Sequence, residues 1–122
     1  MAAAVLDQRE TLSGSDEMQV WWKDTLRKSE HFFNILSLFD VHSVTGEYLM
    51  TLQLVQGRIE KARYPSIASY SRHYLLAAIS SVTAGVYAAM GGNAEKAHQH
   101  MDAAAISLCA LERELARLGV MQ

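Results

Sequence analysis

The sequence predicts an all-α protein, an antiparallel up-down four-helix bundle preceded by a loosely ordered N-terminal tail. Three observations predict it. Apolar residues recur at steps of three and four over long stretches, as one face of a helix requires. Breaks are few, with one proline and seven glycines in 122 residues. No stretch of useful length alternates with the period of two that a half-buried strand needs. Half of the residues are hydrophobic and 20% are charged, the composition of a folded chain rather than a disordered one. A chain of this length buries enough surface for one domain with its own core.

Residues 1–15 include "MAAAVL" and the turn-forming "LSGS". They are expected to form a flexible tail, with Ser15 as N-cap of the first helix. A single domain then occupies residues 16–122. Its first helix is expected over 16–38, where Met18, Trp22, Leu26, Phe33 and Leu36 share a face and Lys23, Arg27, Glu30 and Asn34 mark another. Trp21 and Trp22 diverge by about 100° on a helix, so one is expected in the core and the other over an interface or the tail.

After "FDVHSVTG" the pattern resumes with Tyr48, Leu52, Val55, Ile59 and Ala62, giving a second helix over 44–64. Pro65 ends it, because proline lacks the next N–H and pushes the residue before it out of the helical region. The third helix, 66–90, stops at "GGN", where Gly91 is expected to take the left-handed conformation. Asn93 is suited to cap the fourth helix, 94–118. That helix carries the seam Ala97, Met101, Ala104, Leu108, Leu111, Leu115 and Leu118, with Gly119 as its stop. Short connections make sequence neighbours antiparallel, and an up-down bundle buries four such stripes.

Two helices carry more apolar surface than a monomeric bundle needs. On the third, Ala77, Ser81, Gly85 and Ala89 occur at steps of four, a flat stripe along which a helix backbone can approach closely. Leu75, Ala78, Val82 and Val86 form a second apolar face, and a helix apolar on all sides must be surrounded. Residues 74–90 carry no charge but contain Ser80, Ser81, Thr83 and Gly85, and sit at the lower limit of membrane-spanning length. Burial in protein is therefore expected, with no membrane. On the fourth helix Ala103, Ile106, Cys109 and Ala110 stand opposite the leucine seam. A two-fold homodimer is expected, with Ala77, Ser81, Gly85, Ala89, Ile106, Cys109 and Ala110 at the contact.

The stretch that most resembles chemistry is "GGNAEKAHQHMD", residues 91–102. Glu95 and His98 match the Glu-x-x-His spacing that carboxylate-bridged di-metal bundles project inward, and Asp102 lies one turn beyond His98. Their mean direction, however, lies roughly 130° from the leucine seam, so they are expected to face outward. No second Glu-x-x-His occurs. Glu95 also complements the positive end of the helix dipole. A metal or small-ligand half-site at Glu95, His98 and Asp102 is thus the alternative expectation, completed by His100, by His31 or by a second subunit.

Catalytic grammar is otherwise missing: there is no G-x-S-x-G, no phosphate-cradling glycine loop and no C-x-x-C. Arg27 and His31 stand one residue short of the R-x(4 to 6)-H spacing of helical nucleotidyl-cleaving domains. Residues 87–104 resemble one tetratricopeptide unit, but no second copy occurs at a period of about 34 residues. A net charge of -2 offers no basic field for nucleic acid, and the single cysteine, Cys109, fits a reducing cytoplasm. The expected function is a non-enzymatic scaffold or regulator that acts by protein-protein contact, needs no cofactor, and engages partners through a groove or through Trp21, Trp22 and the tail.

Overall fold

A computed structural model describes residues 14–120 of the chain. Among them the backbone forms five α-helices and no strand: α1 (Gly14–Lys28), α2 (Glu30–Leu38), α3 (Gly46–Lys61), α4 (Ser69–Met90) and α5 (Ala94–Arg117). A single 3-10 turn, Ser66–Ala68, leads directly into α4. The protein is all-helical as expected, but with five helices where four were predicted. The expected tail over 1–13 lies outside the described residues. Gly14 already belongs to α1, so Ser15 stands inside the helix and not at its N-cap.

The fifth helix arises because the predicted first helix breaks at Ser29. Its backbone sits at φ -102° and ψ 11°, and its buried hydroxyl donates to the Thr25 carbonyl at 2.7 Å. That carbonyl also accepts the Ser29 N–H at 2.9 Å. A hydroxyl that bonds back to the carbonyl four residues earlier loosens the ladder and bends a helix. Ser29 and Thr25 are both buried, so the true seam runs Met18, Trp22, Thr25, Ser29, Phe32 and Ile35. Leu26, expected in the core, is 41% exposed. Ranking positions by hydrophobicity displaced the predicted stripe because two small polar residues, at least one satisfied by its own main chain, occupy core positions. The exposed side holds Lys23, Arg27, Glu30 and Asn34 as expected.

Both tryptophans are buried, against the expectation that one would lie outside the core; their ring centroids are 6.0 Å apart. Charges at the ends of α1 complement its dipole, with Asp16 and Glu17 in the first turn and Arg27 and Lys28 in the last.

Helix α3 buries Leu52, Val55 and Ile59, with Tyr48 and Ala62 half-buried along the same stripe. It ends at Lys61 and not at Tyr64, because the chain is already extended at Ala62 (ψ 141°) and stays so at Pro65 (ψ 149°). Arg72 of α4 closes this end. Its guanidinium donates to the Glu60 carbonyl at 3.3 Å and lies 4.5 Å from the centre of the Tyr64 ring.

Helices α4 and α5 make the most extensive helix contact in the molecule, and α3 lies against α4. The turn between α4 and α5 is a Schellman closure: Asn93 N–H reaches the Ala88 carbonyl at 2.9 Å and Gly92 N–H the Ala89 carbonyl at 3.0 Å. The left-handed residue is Gly92 (φ 79°); Gly91, where it was expected, has φ -81°. Asn93 then caps α5 as expected, its Oδ1 accepting the Lys96 N–H at 3.0 Å. Gly119, also at φ 79°, closes the far end with Val120 N–H on the Leu115 carbonyl at 2.9 Å.

The α5 seam faces inward as predicted, with Ala97, Ala104, Leu111 and Leu115 buried and Met101, Leu108 and Leu118 half-buried. On α4, Leu75, Ala78, Val82 and Val86 are buried. The helix is not enclosed on all sides, since Tyr70, His73, Ser80 and Tyr87 are exposed within the chain. By length and composition Ser66–Met90 could cross a membrane, and a third of its most apolar window is buried here.

Two substitutions check this geometry by thermal unfolding. Gly92→Ala should destabilise by about 1 kcal/mol because it forces a side chain into the left-handed region, whereas Gly91→Ala should change little. Gly85→Ala should be neutral or stabilising by up to about 1 kcal/mol through helix propensity. Gly85→Leu should cost about 1–3 kcal/mol by overpacking.

Candidate functional site

An apolar opening lies between the α1–α2 pair and α5. Neither α1 nor α2 approaches the α5 backbone as α3 and α4 approach one another. What remains is a groove of about 370 Å³, lined by Trp22, Leu26, Phe33, Leu36, Leu108, Leu111, Glu112 and Leu115. Trp22, Leu111 and Leu115 are buried, while Leu26 and Glu112 are exposed at its edge. Glu112 is its one charged lining residue. Leucines of α5 therefore serve two neighbours, α4 on one flank and this groove on the other.

A second hollow, also of about 370 Å³, opens where the loop after α2 meets the start of α5. It is lined by Leu36, Phe39, Asp40, Val41, His42, His98 and Met101. Asp40 organises the loop: Oδ1 accepts the His42 N–H and Oδ2 the Ser43 hydroxyl, both at 3.0 Å. These bonds hold the Asp40 carboxyl below its usual pKa, the His42 N–H contributing most. Sequence reasoning missed His42 and Asp40, whose only signal was the turn-forming "FDVHSVTG". A third, shallower hollow of about 490 Å³ lies beside Trp21, between Glu17, Val20, Asp24, Arg63 and Pro65.

The predicted metal residues Glu95, His98 and Asp102 are all exposed on the outward side of α5. His98 reaches the hollow beside Asp40 and His42. His100 is half-buried, and its Cβ lies 3.5 Å from where a Gly85 side chain would begin. His31 lines a separate cleft between α2 and α3. Among the described residues no three His, Cys, Asp or Glu side chains are grouped to hold a metal ion.

The predicted contact residues divide. Gly85 is buried, and a Cβ there would lie 3.4 Å from both the Ala97 carbonyl oxygen and the Met101 sulfur. The close approach expected of a second subunit is made at Gly85 by the chain's own α5. Ala77, Ser81, Ala89 and Ala110 are half-buried, Cys109 is exposed and Ile106 is 69% exposed. Two carboxylates elsewhere are engaged locally. Asp24 meets Arg27 and Lys28 at 2.7 Å each, and hydrogen bonding from Lys28 leads the lowering of its pKa. Arg117 lowers that of Glu114 in the same way.

No protein-family model matches the chain, no curated protein matches it in sequence, and no solved structure matches it in fold.

The Asp40 turn has a pH signature. A carboxylate whose folded pKa is depressed adds stability above its unfolded pKa, and that contribution is lost as pH falls through the folded value. The His42 amide resonance should therefore titrate with a midpoint below 3.8, the ordinary aspartate value. Asp40→Asn should abolish the titration while keeping the turn.

Proposed function

We propose that the protein is a non-enzymatic scaffold or regulator that works by protein-protein contact, as a homodimer, in the cytoplasm and without membrane or nucleic acid. Counting α1 and α2 as one rod bent at Ser29, its helices make a four-helix bundle left open along one seam. The observation that carries the proposal is the groove at that seam, whose lining is apolar except for Glu112. Such a groove suits the apolar face of an amphipathic helix, with anchors at helical spacing and a polar edge against water. The dimer uses the outer side of the α4–α5 hairpin, where Ala77, Ser81 and Ala110 are half-buried and Ile106 and Cys109 exposed. Small uncharged side chains there allow a flat, close contact between copies.

A second function has one observation in its favour. His98 shares a hollow with His42 and Asp40, so a transition metal or small polar ligand could meet two imidazoles from distant parts of the chain. In this alternative His98 is the metal ligand, with Glu95 and Asp102 beside it on α5.

Three measurements separate these functions. Light scattering at micromolar concentration should give a dimer that Ile106→Glu converts to a monomer; a monomeric wild type ends the dimer proposal. Leu108→Glu should abolish capture of an interacting protein that the wild type retains, with helical content unchanged. Elemental analysis of untagged protein should find no stoichiometric transition metal, whereas a bound metal lost in His98→Ala would favour the second function.

A further inference from the structure

Helix α3 presents apolar side chains on the side away from the core: Met50 is 67% and Leu54 62% exposed. At about 100° per residue, Glu47, Met50, Leu54, Gly57 and Lys61 fall within an arc of about 80°. The middle of that arc points about 150° away from the buried Leu52, Val55 and Ile59. Gly57 lies in the helix interior, and a Cβ there would meet nothing within 4 Å among the described residues beyond its own turn of helix. Glycine weakens a helix interior relative to alanine, so contacts within the chain give no reason for it. We infer that this stripe is a self-association surface: a second copy of the chain docks on it with its own α3, antiparallel, about a two-fold axis at Leu54. The surface is separate from the outer side of the α4–α5 hairpin and does not depend on it.

Charge identifies the occupant. Glu47 stands seven residues before Leu54 and Lys61 seven after it, on one stripe. Two such helices running antiparallel about Leu54 bring each Glu47 against Lys61 of the second copy. A parallel pair would set Glu47 against Glu47 and Lys61 against Lys61. Both side chains are exposed, and neither forms an ion pair among the described residues. In the same register Met50 of each copy arrives beside Gly57 and Arg58 of the other, where the missing side chain leaves room for its flexible thioether. Antiparallel helix dipoles favour the same arrangement.

The contact is a weak one. Exposed ion pairs add little affinity and mainly fix orientation and register. One helix per copy gives an interface at the small end of the specific range, below about 1,200 Å² in total, where association is transient. It forms toward millimolar concentration and joins monomers or hairpin dimers, whichever the chain provides.

The test uses the full chain carrying Ile106→Glu, so that the hairpin face contributes nothing, and follows sedimentation equilibrium from micromolar to millimolar concentration. The expected result is a monomer that becomes a dimer over that range. Glu47→Lys alone and Lys61→Glu alone should each weaken association by about tenfold or more, because each places like charges together at both ends of the contact. Mixed in equal amounts, the two variants should associate as a heterodimer at the original strength, since both pairs are again opposite in sign; that recovery also shows that both are folded. Leu54→Glu, which meets its own counterpart on the axis, should abolish association with helical content unchanged. A chain still monomeric at millimolar concentration overturns the inference, as does association that both single charge variants retain or that their mixture fails to recover. None of these outcomes bears on the α4–α5 dimer, which is read from the wild type at micromolar concentration.

Discussion

The close approach of α4 and α5 at Gly85 is the constraint on which the remaining architecture depends. At Gly85 the Ala97 carbonyl oxygen lies 3.4 Å from the point where a Cβ would stand, so the helices run close enough that only a small residue fits between them. The Schellman closure at Gly92 and the Asn93 cap set the angle at which the two helices meet. Small residues on both sides of the contact then hold the helices together along their length. The centre of the α5 seam is thereby committed to α4. Helices α1 and α2 reach only its other flank, where Trp22 and the leucines of α5 line a groove that stays open.

Ser29 shapes the opposite wall of that groove. A hydroxyl buried in a core ordinarily needs a partner, and this one uses the main chain of its own helix four residues earlier. The core is spared a polar network, and the rod is divided into α1 and α2. The division lets Trp21 and Trp22 both be buried on α1 while Phe32 and Ile35 of α2 enter the same core. Phe33 and Leu36, next to them on α2, are left half-buried at the groove.

Several polar groups of the described residues are paired within short stretches of chain. Asp24, Glu114 and Asp40 are each held ionised by neighbours within four residues, a local pairing that stabilises helix surface and loop. His98 and His42 come from distant segments to line one hollow. Apolar side chains from three helices converge more extensively, at the groove between the α1–α2 pair and α5.

Helix existence, the α5 seam, the Asn93 cap and the Gly119 stop were legible in the sequence, because each depends on side-chain periodicity or on one residue's backbone preference. The same reasoning placed Glu95, His98 and Asp102 on the outward side of α5, since direction around a helix is set by its pitch. The break at Ser29, the burial of both tryptophans and the choice of Gly92 over Gly91 were decided by tertiary structure. A buried serine resembles an exposed one until its neighbours are known, and two adjacent glycines offer the same freedom until the turn selects between them. Which helix would fill the stripe at Gly85, and which seam would stay open, depended on how rods compete for a shared face. Periodicity along each rod carries no record of that competition.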